Sequence, residues 1–120
     1  MSRPLDDSQV FDLDHLRRQT AGDRALEREL LALFETQCAR MRPLVRDDGP
    51  WLQRADAAHT LKGSARAIGA GQLASLADRL ETALRNGEGE GALASLLIRF
   101  DEAVEATRKA LAEHNRANAA

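Results

Sequence analysis

The residues best suited to chemistry lie close together in one segment, at His59, Lys62, Gly63 and Arg66. Separations of three, four and seven residues place them on one face of a helix, which turns about 100° per residue. The opposite face of the same helix carries the apolar residues Ala58, Leu61, Ala65 and Ile68. The spacing therefore predicts a histidine that faces solvent, not one buried in the core.

A neutral imidazole on such a face is a nucleophile, and the neighbouring residues fit a phosphoryl group. Lys62 and Arg66 can form charge-assisted contacts with phosphoryl oxygens, although a merely solvated basic face is the alternative. Gly63 costs about 1 kcal/mol relative to alanine inside a helix. Because it lies one turn from His59, it removes a side chain beside the ring and leaves room for a partner.

Three more residues are candidates for binding. Leu52 and Ala55 precede His59 on the same side of the helix, and they predict part of a small, transient docking patch. Glu81 lies as far after Ala70 as His59 lies before it. If the chain reverses at Ala70, Glu81 can accept a hydrogen bond from one ring nitrogen and leave the other free to react. An ordinary surface glutamate is the alternative.

Helical periodicity organises the rest of the chain. It predicts a short helix from about Phe11, followed by four longer helices over about 23–43, 50–68, 71–86 and 91–115. Pro43 is expected to kink or stop the second of these helices. Four amphipathic helices with short connections can bury their apolar stripes only against one another. The sequence therefore predicts an all-α fold, an antiparallel up-down-up-down four-helix bundle with an additional short N-terminal helix.

The predicted bundle spans residues 11–115, between a flexible N-terminal arm at 1–10 and a C-terminal tail at 116–120. The formal charge of the 120 residues is −2, without the basic stripe of a nucleic-acid-binding protein. No apolar run is long enough for a membrane span, and the single cysteine, Cys38, suits a reducing cytoplasm. The three histidines are too dispersed to predict a metal site.

The run Ala58-His59-Thr60-Leu61-Lys62-Gly63-Ser64-Ala65, followed by Gly69-Ala70, Leu73 and Leu80-Glu81, strongly resembles the signature of histidine-containing phosphotransfer (HPt) domains. The resemblance implies that His59 is the phosphorylated histidine, Lys62 its cationic neighbour and Gly63 the residue that gives clearance. Members of the family often carry glutamine or another polar residue where Glu81 lies. The family fold is a four-helix bundle with an extra N-terminal helix.

The same resemblance implies a phosphorelay intermediate. His59 would accept a phosphoryl group from the aspartyl phosphate of a receiver domain in a hybrid histidine kinase and pass it reversibly to a response regulator. The chain would be a cytoplasmic, monomeric, stoichiometric carrier without ATP-dependent kinase activity. It would bind no cofactor, and Mg²⁺ is expected on the partner receiver domain.

Two other functions remain open at this point. The dimerisation region of a histidine kinase usually has a proline shortly after its histidine, and none follows His59. A helical interaction module that binds a receiver domain without being phosphorylated would leave the His59, Lys62 and Gly63 face unexplained.

Overall fold

The computed structural model describes residues 8–118, which form five helices and contain no strand. The helices are α1 (Leu13–Thr20), α2 (Arg24–Arg46), α3 (Trp51–Ile68), α4 (Gly71–Arg85) and α5 (Glu90–Asn118). The four long helices form an antiparallel up-down-up-down bundle, and the short α1 packs against α2 and α3. The predicted all-α fold with an additional N-terminal helix is confirmed.

The first two helices begin at aspartates. Asp12 precedes α1 and accepts a hydrogen bond from the backbone N–H of His15 at 3.1 Å. Asp23 precedes α2 and accepts one from the backbone N–H of Leu26, also at 3.1 Å. A carboxylate at this position satisfies an N–H that has no partner inside the helix, so these residues fix where each helix starts.

Several predicted boundaries differ from those observed. Pro43 does not stop helix α2, which ends at Arg46. The Pro43 carbonyl still accepts a helical hydrogen bond, from the backbone N–H of Asp47 at 2.9 Å. Helix α5 continues to Asn118, beyond the predicted end of the bundle at 115. Within the predicted N-terminal arm, the Gln9 carbonyl accepts a hydrogen bond from the Gln72 N–H at 2.8 Å. Residues 1–7 and 119–120 of the predicted arm and tail lie outside the described residues.

The core is built from a few large side chains and many small ones. Phe34 of α2 and Phe100 of α5 are almost completely buried. Alanines occupy much of the contact region of the two middle helices: Ala55, Ala57, Ala58 and Ala65 on α3, with Ala74, Ala77 and Ala83 on α4. Small side chains allow neighbouring helix axes to approach closely. Polar groups along the seam between α3 and α4 can therefore reach one another.

The side of α2 that faces α5 is marked by ion pairs. Arg42 contacts Asp101 at 3.3 Å, and Glu35 contacts Arg108 at 3.5 Å. Helical spacing places Leu33 and Leu44 on the flank of α2 opposite these ion pairs, and both leucines are exposed. Helix α2 also packs against α3. In the described part of the chain, no helix is long and apolar enough to cross a membrane.

The turn between α3 and α4 requires Gly69, which adopts φ +87°. A Cβ atom there would come within 2.5 Å of the Asp12 carbonyl oxygen. The backbone N–H of Asp12 also donates to the Gly69 carbonyl at 2.8 Å. The entry to α1 is thus packed directly on this turn, which leaves no space for a side chain.

We expect Gly69→Ala to lower the free energy of unfolding by about 2 kcal/mol or more, because it adds a steric clash to an unfavourable backbone conformation. Urea denaturation measures the change. Gly63→Ala is the matched control: a Cβ there meets no atom within 4 Å, and the substitution should stabilise α3 by up to about 1 kcal/mol. Equal effects of the two substitutions would contradict this role of Gly69.

Candidate functional site

His59 lies in the middle of α3 with 62% of its side chain exposed. Its Nδ1 atom is 3.1 Å from both carboxylate oxygens of Glu81 on α4. The predicted pairing of these two residues across the reversal at Ala70 is therefore present in the structure. In the neutral ring only one nitrogen carries hydrogen, and an ionised carboxylate can only accept. The proton must be on Nδ1, which leaves the lone pair of Nε2 at the exposed side of the ring.

Glu81 is ionised over the whole physiological range. Burial favours the neutral acid and would raise its pKa, but hydrogen bonds from Lys62, Arg85 and His59 prevail and lower that pKa to about 2. The side chain is 12% exposed, so most of the carboxylate is covered by its neighbours, and it lies against the imidazole.

Lys62 turns from the exposed face towards α4 and is 14% exposed. Its Nζ donates to Glu81 Oε1 at 2.8 Å and to Asp78 Oδ1 at 3.0 Å. These hydrogen bonds, first that to Glu81, raise the pKa of Lys62. Lys62 therefore remains charged and compensates the charge of the glutamate beside the histidine, a role that was not predicted from the sequence.

Arg85 is part of the site and was missed from the sequence. Its Nε donates to Glu81 Oε2 at 2.9 Å, and its Nη2 donates to Asp56 Oδ1 at 3.0 Å. The four-residue separation of Glu81 and Arg85 is a recognised helical pairing and could have indicated the first contact. Asp56 and Asp78 were also missed, since their contacts depend on how the two helices pack.

The other predicted residues have separate environments. Gly63 is exposed, and Leu52 is 67% exposed. The side chain of Arg66 is exposed and makes no hydrogen bond or ion pair with residues 8–118, whereas its backbone carbonyl is 2.8 Å from His15 Nε2. Arg66 is thus a free cation near the site, and Gly63 leaves open space one turn from His59.

Ala55 was wrongly expected to be exposed on the docking face; its side chain is completely buried. On a helical wheel Ala55 and Lys62 lie on the same flank, roughly 40° and 60° from His59. Lys62 contacts α4, so this flank faces α4, and a methyl group there is covered by the neighbouring helix. A docking patch cannot include Ala55.

No group of three or more His, Cys, Asp or Glu residues suited to holding a metal ion occurs within residues 8–118. What the described side chains do provide is an exposed imidazole, a carboxylate fixed behind it and two cations on that carboxylate. This arrangement suits nucleophilic attack by Nε2 on an electrophile brought by another molecule.

The chain is similar to known proteins in sequence and in structure. The family model described as the Hpt domain matches residues 24–110, which include α3, α4 and the whole candidate site. A solved structure, the histidine phosphotransferase ShpA from Caulobacter crescentus, is similar with 29% sequence identity and a TM-score of 0.62. The alignment covers 91% of this chain and 98% of that one. No curated protein sequence matches the chain.

The low pKa of Glu81 predicts a specific dependence of stability on pH. A carboxyl group with a lowered pKa stabilises the fold above its ordinary value of 4.5, and this contribution is lost as the pH falls towards 2. We therefore expect wild type to exceed Glu81→Gln in free energy of unfolding above pH 4.5, with the difference shrinking towards pH 2. Urea denaturation across this range measures it. A difference independent of pH would contradict the assigned ionisation.

Proposed function

Because the chain belongs to the Hpt domain family, we propose that it is a phosphorelay intermediate that carries a phosphoryl group on His59. The donor is the aspartyl phosphate of a receiver domain in a hybrid histidine kinase, and the acceptor is the aspartate of a response regulator. The observation that best supports this proposal is the exposed ring of His59, in which Glu81 holds Nδ1 and Nε2 has no hydrogen-bond partner among the described residues.

Transfer begins when the lone pair of Nε2 attacks phosphorus. A P–N bond forms, the bond between phosphorus and the aspartyl oxygen breaks, and its electron pair leaves with the carboxylate. The proton on Nδ1 stays in place, so the phosphorylated ring is cationic and faces the anionic Glu81. Such reactions depend mainly on positioning and on neutralising charge on the phosphoryl oxygens.

The second transfer is the reverse of the first. An aspartate oxygen of the acceptor attacks phosphorus, the P–N bond breaks and its electron pair returns to Nε2. Nothing in the cycle consumes ATP or changes the protonation of His59, so the protein is a stoichiometric, reversible carrier and not a kinase. Mg²⁺ belongs to the receiver domain in this scheme.

The charges around Glu81 are compatible with an incoming phosphoryl group. A lone glutamate beside the acceptor would repel it, but Lys62 and Arg85 each donate to one carboxylate oxygen. Lys62 thus contributes to transfer by compensating the charge of Glu81. Arg66, one turn beyond Lys62 and without a side-chain partner among the described residues, supplies a cation for the receiver domain or the phosphoryl oxygens.

The docking surface for receiver domains lies on the α2 side of His59. Leu52 and Gly63 flank the histidine on α3, and Leu52 is 67% exposed. On α2, Leu33 and Leu44 are 52% and 47% exposed, on the flank that faces away from α5. Exposed apolar residues beside a reactive group are typical of interaction surfaces. These three leucines replace the set that included Ala55.

We expect the protein to act as a monomer, since one exposed histidine face serves one receiver domain at a time. We also expect it to act in the cytoplasm. The two receiver domains then use the same surface in turn. Exchange of this kind is compatible with a small, transient interface.

The direct test is to incubate the protein with a receiver domain that carries labelled aspartyl phosphate. Wild type should acquire label that is labile to acid and stable to base, as expected of phosphohistidine, and His59→Gln should acquire none. Circular dichroism should show the same helical content in both proteins, because His59 is exposed. Label on the His59→Gln protein would contradict the assignment. Tight binding of the receiver domain without any label on wild type would instead indicate an unphosphorylated interaction module.

A second substitution tests the space beside the ring. A Cβ at Gly63 meets no atom of this chain within 4 Å, so packing within the bundle does not demand a glycine there. We expect Gly63→Gln to maintain or raise the free energy of unfolding while slowing transfer by about tenfold or more, since misplacement of reacting groups is costly.

The control for this test is Gly91→Gln, a substitution at another exposed helical glycine with open space, in the first turn of α5. It should leave the transfer rate unchanged. A wild-type transfer rate for Gly63→Gln would exclude the clearance role of Gly63.

A further inference from the structure

Arg85 connects the two helices that form the site. It lies at the end of α4, where its Nε donates to Glu81 Oε2 at 2.9 Å. The Nη2 atom of the same guanidinium donates to Asp56 Oδ1 at 3.0 Å. Asp56 belongs to α3, one turn before His59. The planar guanidinium therefore bridges from the carboxylate behind the histidine to the helix that bears it.

The hydrogen bonds at Glu81 are arranged symmetrically. Nδ1 of His59 is 3.1 Å from each of the two oxygens, so the ring faces the middle of the carboxylate. Lys62 holds Oε1 and Arg85 holds Oε2. With a cation on each oxygen, the carboxylate cannot rotate without losing a charge-assisted hydrogen bond. Removal of Arg85 takes the cation from Oε2, so that among the described residues the carboxylate is held only by Lys62 at Oε1 and by the histidine ring itself.

We propose that Arg85, anchored by Asp56, is a positioning residue for phosphoryl transfer. It acts through Glu81, whose orientation keeps hydrogen on Nδ1 and the lone pair on Nε2. This inference deepens the proposed function and rests on it where the transfer rate is concerned. The effect on the ring itself, however, exists before any phosphoryl group arrives.

A purely stabilising ion pair is the competing explanation. Asp56 is 74% exposed and Arg85 is 39% exposed, and pairs in such surroundings contribute little to stability. The two contacts also use the fork of the guanidinium, which donates from two nitrogens in fixed directions. Lysine offers a single ammonium group and would restore the charge without the bridge. If Arg85 positions Glu81, the Arg85→Lys protein should therefore differ from wild type in the tautomer of His59 and in its transfer rate. If only the charge of Arg85 mattered, the two proteins should behave alike.

The experiment compares Arg85→Ala with wild type by ¹⁵N NMR of the His59 ring in the unphosphorylated protein, at a pH where the ring is neutral. Wild type should show hydrogen predominantly on Nδ1. Arg85→Ala should shift a clear fraction of molecules to the Nε2–H tautomer, and Asp56→Asn should shift a smaller one. Transfer from a phosphorylated receiver domain should slow by about tenfold in Arg85→Ala, because a small misplacement of a reacting group is costly.

Arg79→Ala is the matched control, because Arg79 is an exposed arginine of the same helix that makes no ion pair within the described residues. It removes the same charge and should change neither the tautomer nor the transfer rate. Arg85→Lys should fall between wild type and Arg85→Ala in both measurements. Thermal unfolding should confirm that each variant is folded.

An unchanged tautomer in Arg85→Ala would overturn the proposal, even if transfer were slower, since Arg85 would then act on the phosphoryl group or on docking. Equal effects of Arg79→Ala and Arg85→Ala would also overturn it. If wild type accepted no phosphoryl group at all, the proposed function would fail. The tautomer measurement would still decide the role of Arg85, because it requires no phosphoryl transfer.

Discussion

The hydrogen bond between His59 Nδ1 and the Glu81 carboxylate is the interaction on which the site depends. It determines which nitrogen carries hydrogen, and it turns the other towards solvent. The bond crosses the seam between α3 and α4, so it forms only if both helices have the correct register. The glycine turn at Gly69 and the alanines along the seam provide that register. Fold and chemistry are thus linked at one contact.

The carboxylate brings a cost that its neighbours offset. An anion next to a phosphoryl acceptor is unfavourable for the incoming group, and its partial burial is unfavourable for the fold. Lys62 and Arg85 compensate the charge, and their hydrogen bonds lower the pKa of Glu81 to about 2. An uncharged acceptor could also hold Nδ1–H. It would not, however, stabilise the positive charge that develops on the ring when Nε2 is phosphorylated, as the anionic Glu81 does. The glutamate therefore suits transfer better than its charge alone suggests.

Much of this arrangement follows from local sequence patterns. The wheel of α3 placed His59, Gly63 and Leu52 on an exposed face, and counting residues about Ala70 brought Glu81 opposite His59. The same wheel failed for Ala55, because it gives the direction of a side chain and not the neighbour that covers it. Lys62 bends towards two acidic residues of α4, and Arg85 reaches Asp56 on α3. Contacts of this kind depend on the distance between helices and on side-chain conformations, which spacing along one helix does not provide.

The central claim is that Glu81 leaves Nε2 as the attacking atom, and the site of attachment on the phosphorylated ring tests it most directly. NMR coupling between ³¹P and the ring ¹⁵N nuclei of the phosphorylated protein distinguishes the two isomers. We predict phosphorus bonded to Nε2, with hydrogen retained on Nδ1. Phosphorus bonded to Nδ1 would contradict it, because that atom is the one held by Glu81.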